Sequence, residues 1–462
     1  MAKATRPPVI TILGHVDHGK TSILDRIRHT NIQAKEAGGI TQAIGAYQID
    51  FQGRKITFID TPGHAAFSAM RARGGKVADL AVLVVAADDS VKPQTLESIE
   101  HIKAAAIPYV VAINKIDLPG ANPAKVKADL AEAGQYLEGY GGNIPVVELS
   151  AKTGQGIDIL LETLLLLADI EALPDTSQEK AQAIVIESSL HRQKGPIASL
   201  LVTAGVFRLK DELYQAVKKI GKIKIMQSAS GDLLNEAGPA TPVLILGFES
   251  LPSVGDIIYT FPAADTTPSR LKTNFAFSKT DETLPNIIIK ADVAGSLEAI
   301  IGSLPPSINL LQAQVGEVSE TDIDLASVNQ AIIVAFNLKF SSHIKKLAQV
   351  EKVTLVNFTI IYELLDYLND LSRKLAVSSP PPVEGEAKIL KVFNFDGKTI
   401  YGCIVLSGKI RVNDKIKDAK ITSLQIGKDS VKEVKKDQEC GLVLTPQLDF
   451  KPGDVVTSTS NL

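Results

Sequence analysis

The segment Gly14–Thr21, which reads GHVDHGKT, constrains the fold of this 462-residue chain more than any other feature. It fits the pattern G-x-x-x-x-G-K-[ST] and lies between a strand-like run (VITIL) and a helical stretch (TSILDRIR). In that setting the glycines permit a turn whose backbone N–H groups surround phosphate oxygens at the positive end of a helix. We therefore predict a phosphate-binding loop, in which Lys20 neutralises the β and γ phosphates and Thr21 ligates Mg²⁺.

The pattern around this loop predicts a mostly parallel sheet with helices on both faces. Apolar, β-rich runs alternate with helical stretches from Val9 to about Leu173, as they do when crossover helices join parallel strands. The longest such run, LAVLVVAA, stops at Asp88 and Asp89 and is far too short to span a bilayer. Residues 1–175 are thus predicted to form a P-loop domain, and no membrane is expected as a partner.

Two later motifs indicate which base is bound. Asn114-Lys115-Ile-Asp117 follows the strand run YVVAI, and the Asp117 carboxylate can accept hydrogen bonds from N1–H and the exocyclic amine of guanine. Adenine lacks this donor pair, and leaving a buried carboxylate unpaired can discriminate by about 10⁴-fold. Ser150-Ala151-Lys152 follows the last strand run and is expected to close over the base. The motifs together predict a P-loop GTPase domain that uses GTP or GDP with Mg²⁺.

A motif between the phosphate loop and these base motifs predicts the metal site and the switch. Phe58-Ile-Asp60-Thr61-Pro62-Gly63-His64 places a carboxylate at a strand end, followed by a glycine whose N–H can bind the γ-phosphate. Thr41 lies in a glycine-rich segment and could complete the metal coordination only when that phosphate is present. The predicted metal ligands are Thr21, Thr41 and Asp60. The predicted GTP-binding residues are Gly14, His15, Val16, Asp17, His18, Gly19, Lys20, Thr21, Asp60, Thr61, Pro62, Gly63, His64, Asn114, Lys115, Asp117, Ser150, Ala151 and Lys152.

His64 is the candidate catalytic residue. A histidine in a loop is often only a hydrogen-bonded polar group. Here it follows the glycine expected at the γ-phosphate, where a side chain that orients the attacking water must stand. We therefore predict a catalytic role for it.

Beyond residue 175 the sequence predicts further domains. Short alternating strands with Gly and Pro indicate a β-barrel over 180–262, and a polar segment, 263–283, indicates a linker. An α/β pattern returns over 284–356, and a helix is predicted over 357–376 with Asn357 as its cap. The remaining segment, 384–462, predicts a C-terminal β-barrel. The fold class is therefore a multidomain α/β plus β protein.

An internal repeat links the two predicted barrels. Ile197–Asp211 matches Ile400–Asp414 at a fixed offset, with a glycine, an arginine and an aspartate in register. A second match pairs Gly255-Asp256 with Gly453-Asp454. Generic β alternation is the alternative, but it does not account for the shared Gly, Arg and Asp. Two barrels of one type are predicted.

Charge and cysteine content limit the compartment and the partners. The net charge is -3, so any RNA partner must be held by local patches rather than by a global positive field. The two cysteines, Cys403 and Cys440, are too few for a disulfide framework in a chain of this size. We expect a cytoplasmic protein.

GHVDHGKT, EAGGITQAIGAY, DTPGHAAF, NKID and SAK together resemble the translational GTPases, and specifically bacterial translation initiation factor two. The likeness extends along the whole chain, for example in IIKADVAGSLEAI and GKIRVNDKI. The resemblance implies a factor that places formylmethionyl initiator tRNA on the small ribosomal subunit and promotes joining of the large one. Ribosome-stimulated GTP hydrolysis would then release it. It is expected to be a monomer, and other initiation factors are further possible partners.

The resemblance also assigns residues. His64 would position water, with Val16 and Ile40 as the flanking apolar gate. The C-terminal barrel would hold the formylmethionyl-adenosine end of the tRNA, although the cysteines could equally be small core hydrophobes. Gln425-Ile426-Gly427 departs from the basic, basic and aromatic residues of relatives, which predicts weaker tRNA binding or a shifted pocket. The pocket residues implied are Cys403, Lys428, Glu439, Cys440 and Gly441.

Other functions compete with this one. Another ribosome-associated translational GTPase, such as an elongation-type factor, would share the switch motifs and the first barrel. A signalling GTPase whose extra domains bind proteins, or a GTP-gated scaffold without hydrolysis, would share only the nucleotide motifs. Stimulation of GTP turnover by ribosomes separates these readings.

Overall fold

A computed structural model describes residues 5–30, 41–42, 45–63, 65–263, 284–378, 383–395, 398–427 and 429–459. The chain forms two compact units, Met1–Ser372 and Arg373–Leu462. Among the described residues, no helix is long and apolar enough to cross a bilayer.

The first domain is a mostly parallel sheet with helices on both faces, as predicted. Its strands run in the order β2-β3-β1-β4-β5-β6, and only the β2–β3 pair in this described sheet is antiparallel. The strands are β1 (Val9–Gly14), β2 (Gly45–Phe51), β3 (Arg54–Asp60), β4 (Leu80–Ala86), β5 (Tyr109–Asn114) and β6 (Val146–Glu148). The helices are α1 (Lys20–Arg28), α2 (Ser68–Val77), α3 (Pro93–Ala105), α4 (Pro123–Glu132) and α5 (Ile157–Glu171).

Side-chain alternation along the central strands divides the core of this domain. Val82 and Val84 on β4 pack into one cluster with α1 and α5, whereas Leu83 and Val85 pack into a second cluster with α3 and α4. Successive residues of a strand point to opposite faces, so a fully apolar strand is buried on both sides. This explains why no polar residue interrupts the run LAVLVVAA.

A closed β-barrel follows, and we name it the first barrel. Its ring is β10-β11-β13-β8-β7-β14, and β14 pairs back with β10. Its elements are β7 (Gln182–His191), β8 (Gly195–Ala204), β9 (Phe207–Arg208), β10 (Glu212–Gln215), β11 (Lys218–Gln227), β12 (Glu236–Ala237), β13 (Pro242–Phe248) and β14 (Ile257–Tyr259). The barrel contacts the nucleotide domain where the Thr57 hydroxyl and the Gln48 amide both donate to the Ala240 carbonyl, at 2.5 and 3.1 Å.

A small parallel α/β domain comes next, with strand order β16-β15-β17-β18. Its elements are β15 (Asn286–Ala291), α6 (Ala294–Gly302), β16 (Asn309–Val315), α7 (Glu320–Val328), β17 (Ile332–Phe336), α8 (Ser342–Val350) and β18 (Leu355–Phe358). Most of the predicted linker, residues 264–283, lies outside the described residues.

The long helix α9 spans Ile361–Ser378, so its predicted start at 357 and the cap at Asn357 are wrong. Asn357 lies in β18, opposite Ala335 of β17. The segment extends the sheet because pairing with β17 satisfies its backbone, and the helical spacing of apolar residues becomes effective only from Ile361. Ile361, Leu364 and Leu368 then form the buried stripe of α9.

The C-terminal strands close into a second barrel, as predicted. The ring is β19-β26-β21-β22-β25-β20, closed by pairing of β20 with β19. Its elements are β19 (Val383–Phe395), β20 (Lys398–Arg411), β21 (Lys415–Ile416), β22 (Ala419–Ile426), β23 (Asp429–Ser430), β24 (Glu433–Lys435), β25 (Glu439–Thr445) and β26 (Val455–Thr459).

The repeat found in the sequence corresponds to matching turns in the two barrels. The Asp211 carboxylate accepts a hydrogen bond from the Arg208 N–H at 2.8 Å, and Asp414 accepts from Arg411 at 2.8 Å. Asp256 and Asp454 each accept from the backbone N–H three residues earlier. The shared residues therefore perform the same local task.

Candidate nucleotide-binding site

A cleft of about 570 Å³ opens at the carboxyl ends of β1 and β5, the edge where parallel α/β sheets bind ligands. Most of the predicted site residues meet there. Ser22 and Leu118 also line it, and neither was predicted. The cleft is lined by Val16, Asp17, Gly19, Lys20, Thr21, Ser22, Thr41, Gly63, Asn114, Lys115, Asp117, Leu118, Ala151 and Lys152.

The glycines of the phosphate loop are required by close backbone approach. Gly14 has φ +144° and Gly19 has φ +88°. A Cβ on Gly14 would overlap the Val84 carbonyl, and one on Gly19 would overlap the Asn114 side chain. The loop thus turns tightly against β4 and β5 before α1 begins at Lys20.

Lys20 is buried at the centre of the loop. Its ammonium group donates to the carbonyl oxygens of Gly14 at 2.9 Å and His15 at 2.6 Å. Burial lowers the pKa of Lys20 to about 8, although the charge of Asp60 partly opposes this shift. A buried cation held mainly by neutral carbonyls gains strongly from an anion, so this side chain suits a phosphate.

The predicted metal ligands form an oxygen-rich group. The hydroxyls of Thr21 and Thr41 lie 2.6 Å apart, and both residues share a second cavity with Asp60, at the end of β3. Hydroxyl and carboxylate oxygens are the hard ligands that Mg²⁺ prefers. The residues therefore fit this ion.

Gly63 lies close to the phosphate loop, and Lys20 and Val16 would have to shift to make room for a side chain there. A Cβ there would overlap the Lys20 ammonium group and press on Val16. His64, the predicted catalytic residue, and Ile40, one half of the predicted gate, lie outside the described residues. Val16, the other half, lines the cleft.

Asn114 joins the two ends of the cleft. Its side-chain amide donates to the His18 carbonyl at 2.9 Å, and its side-chain oxygen accepts from the Ala151 N–H at 3.0 Å. The Ser150 hydroxyl donates to Asp117 at 2.7 Å. That hydrogen bond lowers the pKa of Asp117, which keeps it an acceptor for a base.

The two loop histidines lie behind the phosphate loop rather than in the cleft. His15 Nδ1 contacts Gln94 Oε1 at 2.5 Å, and the same oxygen accepts from the Val16 N–H. Burial, followed by the nearby His15, lowers the pKa of His18 to about 4, so its ring is neutral at pH 7. Both residues support the loop shape.

Several supporting residues were missed by sequence reasoning. Arg71 of α2 is only 1% exposed and donates to the Pro62 carbonyl at 3.1 Å and to Glu97 of α3 at 2.5 Å. Gln42, next to Thr41, contacts both the Thr359 carbonyl and the Ile361 N–H at the start of α9. An isolated Arg or Gln carries no sequence signal for such partners. Gln94, which contacts His15 and Val16, was also missed, because nothing in the sequence distinguishes it from other residues in the first turn of a helix.

In the second barrel, Cys403 and Cys440 lie directly opposite each other on β20 and β25. Both belong to the apolar core, and both thiols are free. The hydrogen bond with Cys440 and burial raise the pKa of Cys403. Glu439 is exposed and Gly441 is half-buried, whereas Lys428 lies outside the described residues.

The sheet, the phosphate loop and the base loops define the class of the first domain as a P-loop GTPase fold. Matches to family models agree with this. "Elongation factor Tu GTP binding domain" matches residues 6–169, "Elongation factor G domain 2" matches 180–261, and "Translation-initiation factor 2" matches 263–369.

Curated relatives match nearly the whole chain. Translation initiation factor IF-2 of Thermoanaerobacter sp. (strain X514) is 42% identical over 98% of this chain and 70% of its own length. IF-2 of Moorella thermoacetica and of Synechococcus sp. (strain CC9311) are also 42% identical over 98% of this chain, but over 54% and 44% of their own lengths. The chain thus spans about half the length of several relatives that it matches. It belongs to the translation initiation factor 2 family.

Among solved structures, GDP-bound aIF5B from Aeropyrum pernix aligns with a TM-score of 0.48 and 25% sequence identity. The alignment covers 98% of this chain and 92% of that one.

Proposed function

We propose that this chain binds GTP and GDP with Mg²⁺ and hydrolyses GTP as a translation initiation factor. The observation that carries this proposal is the double hydrogen bond of Asn114, which holds a phosphate loop and a base loop at one cleft. Lys20 would neutralise the phosphates and Asp117 would select guanine. Mg²⁺ held by Thr21, Thr41 and Asp60 would offset the charge that develops on the phosphates during transfer.

Hydrolysis is assigned to His64 on the basis of the family resemblance and its position after Gly63. In this proposal His64 orients the attacking water, and Val16 with Ile40 forms the apolar gate through which the histidine reaches it. Thr41 would ligate the metal ion only when the triphosphate is bound, so the conformation of this segment would report which nucleotide is present.

The proposed partners follow from family membership. They are formylmethionyl initiator tRNA and the small and large ribosomal subunits, with other initiation factors as further candidates. The protein would act as a cytoplasmic monomer. The second barrel would hold the tRNA end, and the family resemblance assigns Lys428, Glu439 and Gly441 to that pocket. Cys403 and Cys440 would shape that surface from the barrel interior, since both are buried.

Multiple-turnover GTP hydrolysis with and without assembled ribosomal subunits tests the proposal. We expect ribosomes to stimulate turnover, and His64→Ala to abolish the stimulation while leaving GDP affinity within about twofold of wild type. His191→Ala is the matched control, because this exposed histidine lies on a hairpin of the first barrel. Absence of ribosome stimulation in the wild-type chain would contradict the proposal and favour a signalling GTPase.

The tRNA assignment has its own measurement. Affinities for formylated and unformylated initiator Met-tRNA are compared in the full chain, and we expect tighter binding of the formylated form. Restoring basic and aromatic residues at 425–427 should strengthen binding of both forms, because cations and stacking rings contact phosphates and bases. Equal affinities for the two tRNAs would contradict the assignment of the formylmethionyl pocket, but they would not contradict the proposed GTP site.

A further inference from the structure

The guanidinium group of Arg71 is among the most buried charges of the described chain. Its side chain is 1% exposed, and it lies in α2, just after the predicted switch motif. Burying a charge is costly unless it is paired and hydrogen-bonded. Arg71 meets this cost by donating to the Pro62 carbonyl at 3.1 Å and to Glu97 at 2.5 Å.

Glu97 is itself held in place by α2 and α3. His101 lies 3.4 Å from the same carboxylate, and Ser68 Oγ lies 3.2 Å from His101 Nε2. Burial by itself raises the pKa of Glu97, but the hydrogen bond and charge of Arg71, together with hydrogen bonds of Ser68 and His101, outweigh it, and the pKa lies below its ordinary value. Arg71 is thus fixed from behind by an ionised partner.

The Pro62 carbonyl belongs to the same peptide group as the Gly63 N–H. This peptide bond is trans, and in a planar trans peptide the C=O and the N–H point in opposite directions. Gly63 lies against Lys20 and Val16 and lines the cleft. Because Arg71 holds the Pro62 carbonyl toward α2, the Gly63 N–H points the opposite way, toward the side of the cleft where the phosphates would lie.

We propose that Arg71, anchored by Glu97, is a positioning residue that fixes the Gly63 N–H for the terminal phosphate of GTP and so sets the affinity for GTP relative to that for GDP. The inference rests on the proposed GTP binding. GDP has no terminal phosphate to meet this N–H, so its binding does not depend on the Arg71 contact.

The test measures the affinities of the full chain for GDP and for the non-hydrolysable analogue guanosine 5′-(β,γ-imido)triphosphate. In Arg71→Met we expect about a tenfold loss of affinity for the analogue, the scale of one charge-assisted hydrogen bond. Affinity for GDP should stay within about twofold. Glu97→Gln leaves Arg71 in place but removes the charge of its partner. It should lower the affinity for the analogue relative to that for GDP by about threefold.

A matched control is Arg54→Met. Arg54 also makes a two-point ion pair, with Asp169, but it is exposed and distant from Gly63 along the sheet, so its loss should leave the ratio unchanged. If Arg71→Met lowered the affinities for both nucleotides equally and also lowered the melting temperature, the Arg71–Glu97 pair would only stabilise the packing of α2 on α3. That result would overturn the inference. If Arg71→Met does not fold, an unchanged ratio in Glu97→Gln overturns it. A wild-type chain that binds neither guanine nucleotide would instead refute the proposed function.

Discussion

The two barrels have the same strand plan but different side chains on their surfaces and in their interiors. The ring β10-β11-β13-β8-β7-β14 corresponds strand by strand to β21-β22-β25-β20-β19-β26. Even the short side pairings match, since Arg208 lies opposite Glu236 and Arg411 lies opposite Glu433. The outer surfaces differ. Ile186 on β7 is 1% exposed and packs within the first unit against residues of the nucleotide and α/β domains, whereas its counterpart on β19 is Leu390.

The interiors differ at a position where the backbones agree. In the first barrel, Leu200 of β8 lies opposite Val243 of β13, and both are buried. In the second barrel, the corresponding pair is Cys403 and Cys440. An aliphatic pair and a thiol pair therefore occupy the same place in one architecture. The shared turns and glycines therefore specify this barrel, while the interior tolerates different side chains.

The largest effect is expected at the glycine shared by the two repeats, which directly follows β8 in the first barrel and lies within β20 in the second. Gly205 has φ +65° and Gly408 has φ +67°, and a Cβ at either would overlap backbone atoms. Gly205→Ala or Gly408→Ala should cost about 3 to 5 kcal/mol, because left-handed strain adds to steric overlap. Hydrogen exchange followed by mass spectrometry should show faster exchange in the altered barrel.

Gly195→Ala provides a control for the glycine pair, since its φ is +72° but a Cβ would meet no atom within 4 Å. It should cost only about 1 kcal/mol. If Gly408→Ala were as mild as this control, the turns would not specify the barrel.

An intermediate effect is expected from exchanging the interior residues. Leu200→Cys should destabilise the first barrel by about 1 to 3 kcal/mol through lost packing, and Cys403→Leu should destabilise the second by a similar amount through overpacking. Cys440→Val, which changes volume less, should cost under about 1.5 kcal/mol. Urea unfolding under reducing conditions measures these values. A stabilising Cys403→Leu would mean that the second interior has unfilled space.

The smallest effect is expected at the matched ion pairs. Arg411 lies 2.9 Å from Glu433, whereas Arg208 lies 3.8 Å from Glu236, and all four side chains are at least one-third exposed. The hydrogen bond from Arg411 holds the pKa of Glu433 below its ordinary value of 4.5. Its contribution to stability is therefore present above about pH 4.5 and is lost as the pH falls through the lower folded-state pKa.

Arg411→Met should accordingly destabilise the second barrel slightly at pH 7, by less than either interior exchange, and Arg208→Met should do less to the first. The difference in melting temperature between each variant and the wild type, measured from pH 7 to pH 3, tests this expectation. An Arg411→Met effect that persisted unchanged at pH 3 would show that packing, rather than charge, is responsible.

Sequence reasoning predicted the geometry correctly where that geometry depends on a local pattern. The phosphate loop, the Asn114 and Asp117 motif and the repeated Gly, Arg and Asp act through turns of a few residues, so their spacing predicts their geometry. It failed at Asn357, where an edge strand took residues that also fit the start of a helix. Sequence reasoning could not predict the role of Arg71. Its partners Pro62 and Glu97 come from separate parts of the chain, which only folding brings together.

The bridging side chain of Asn114 bears on how nucleotide affinity is composed. One amide connects the His18 carbonyl of one loop with the Ala151 N–H of the other. Movement of either loop therefore disturbs the other, and in the proposed GTP site the recognition of the base would depend on the recognition of the phosphates. The affinity for a whole nucleotide is then not the sum of the affinities for guanosine and for pyrophosphate, and the two fragments should bind cooperatively.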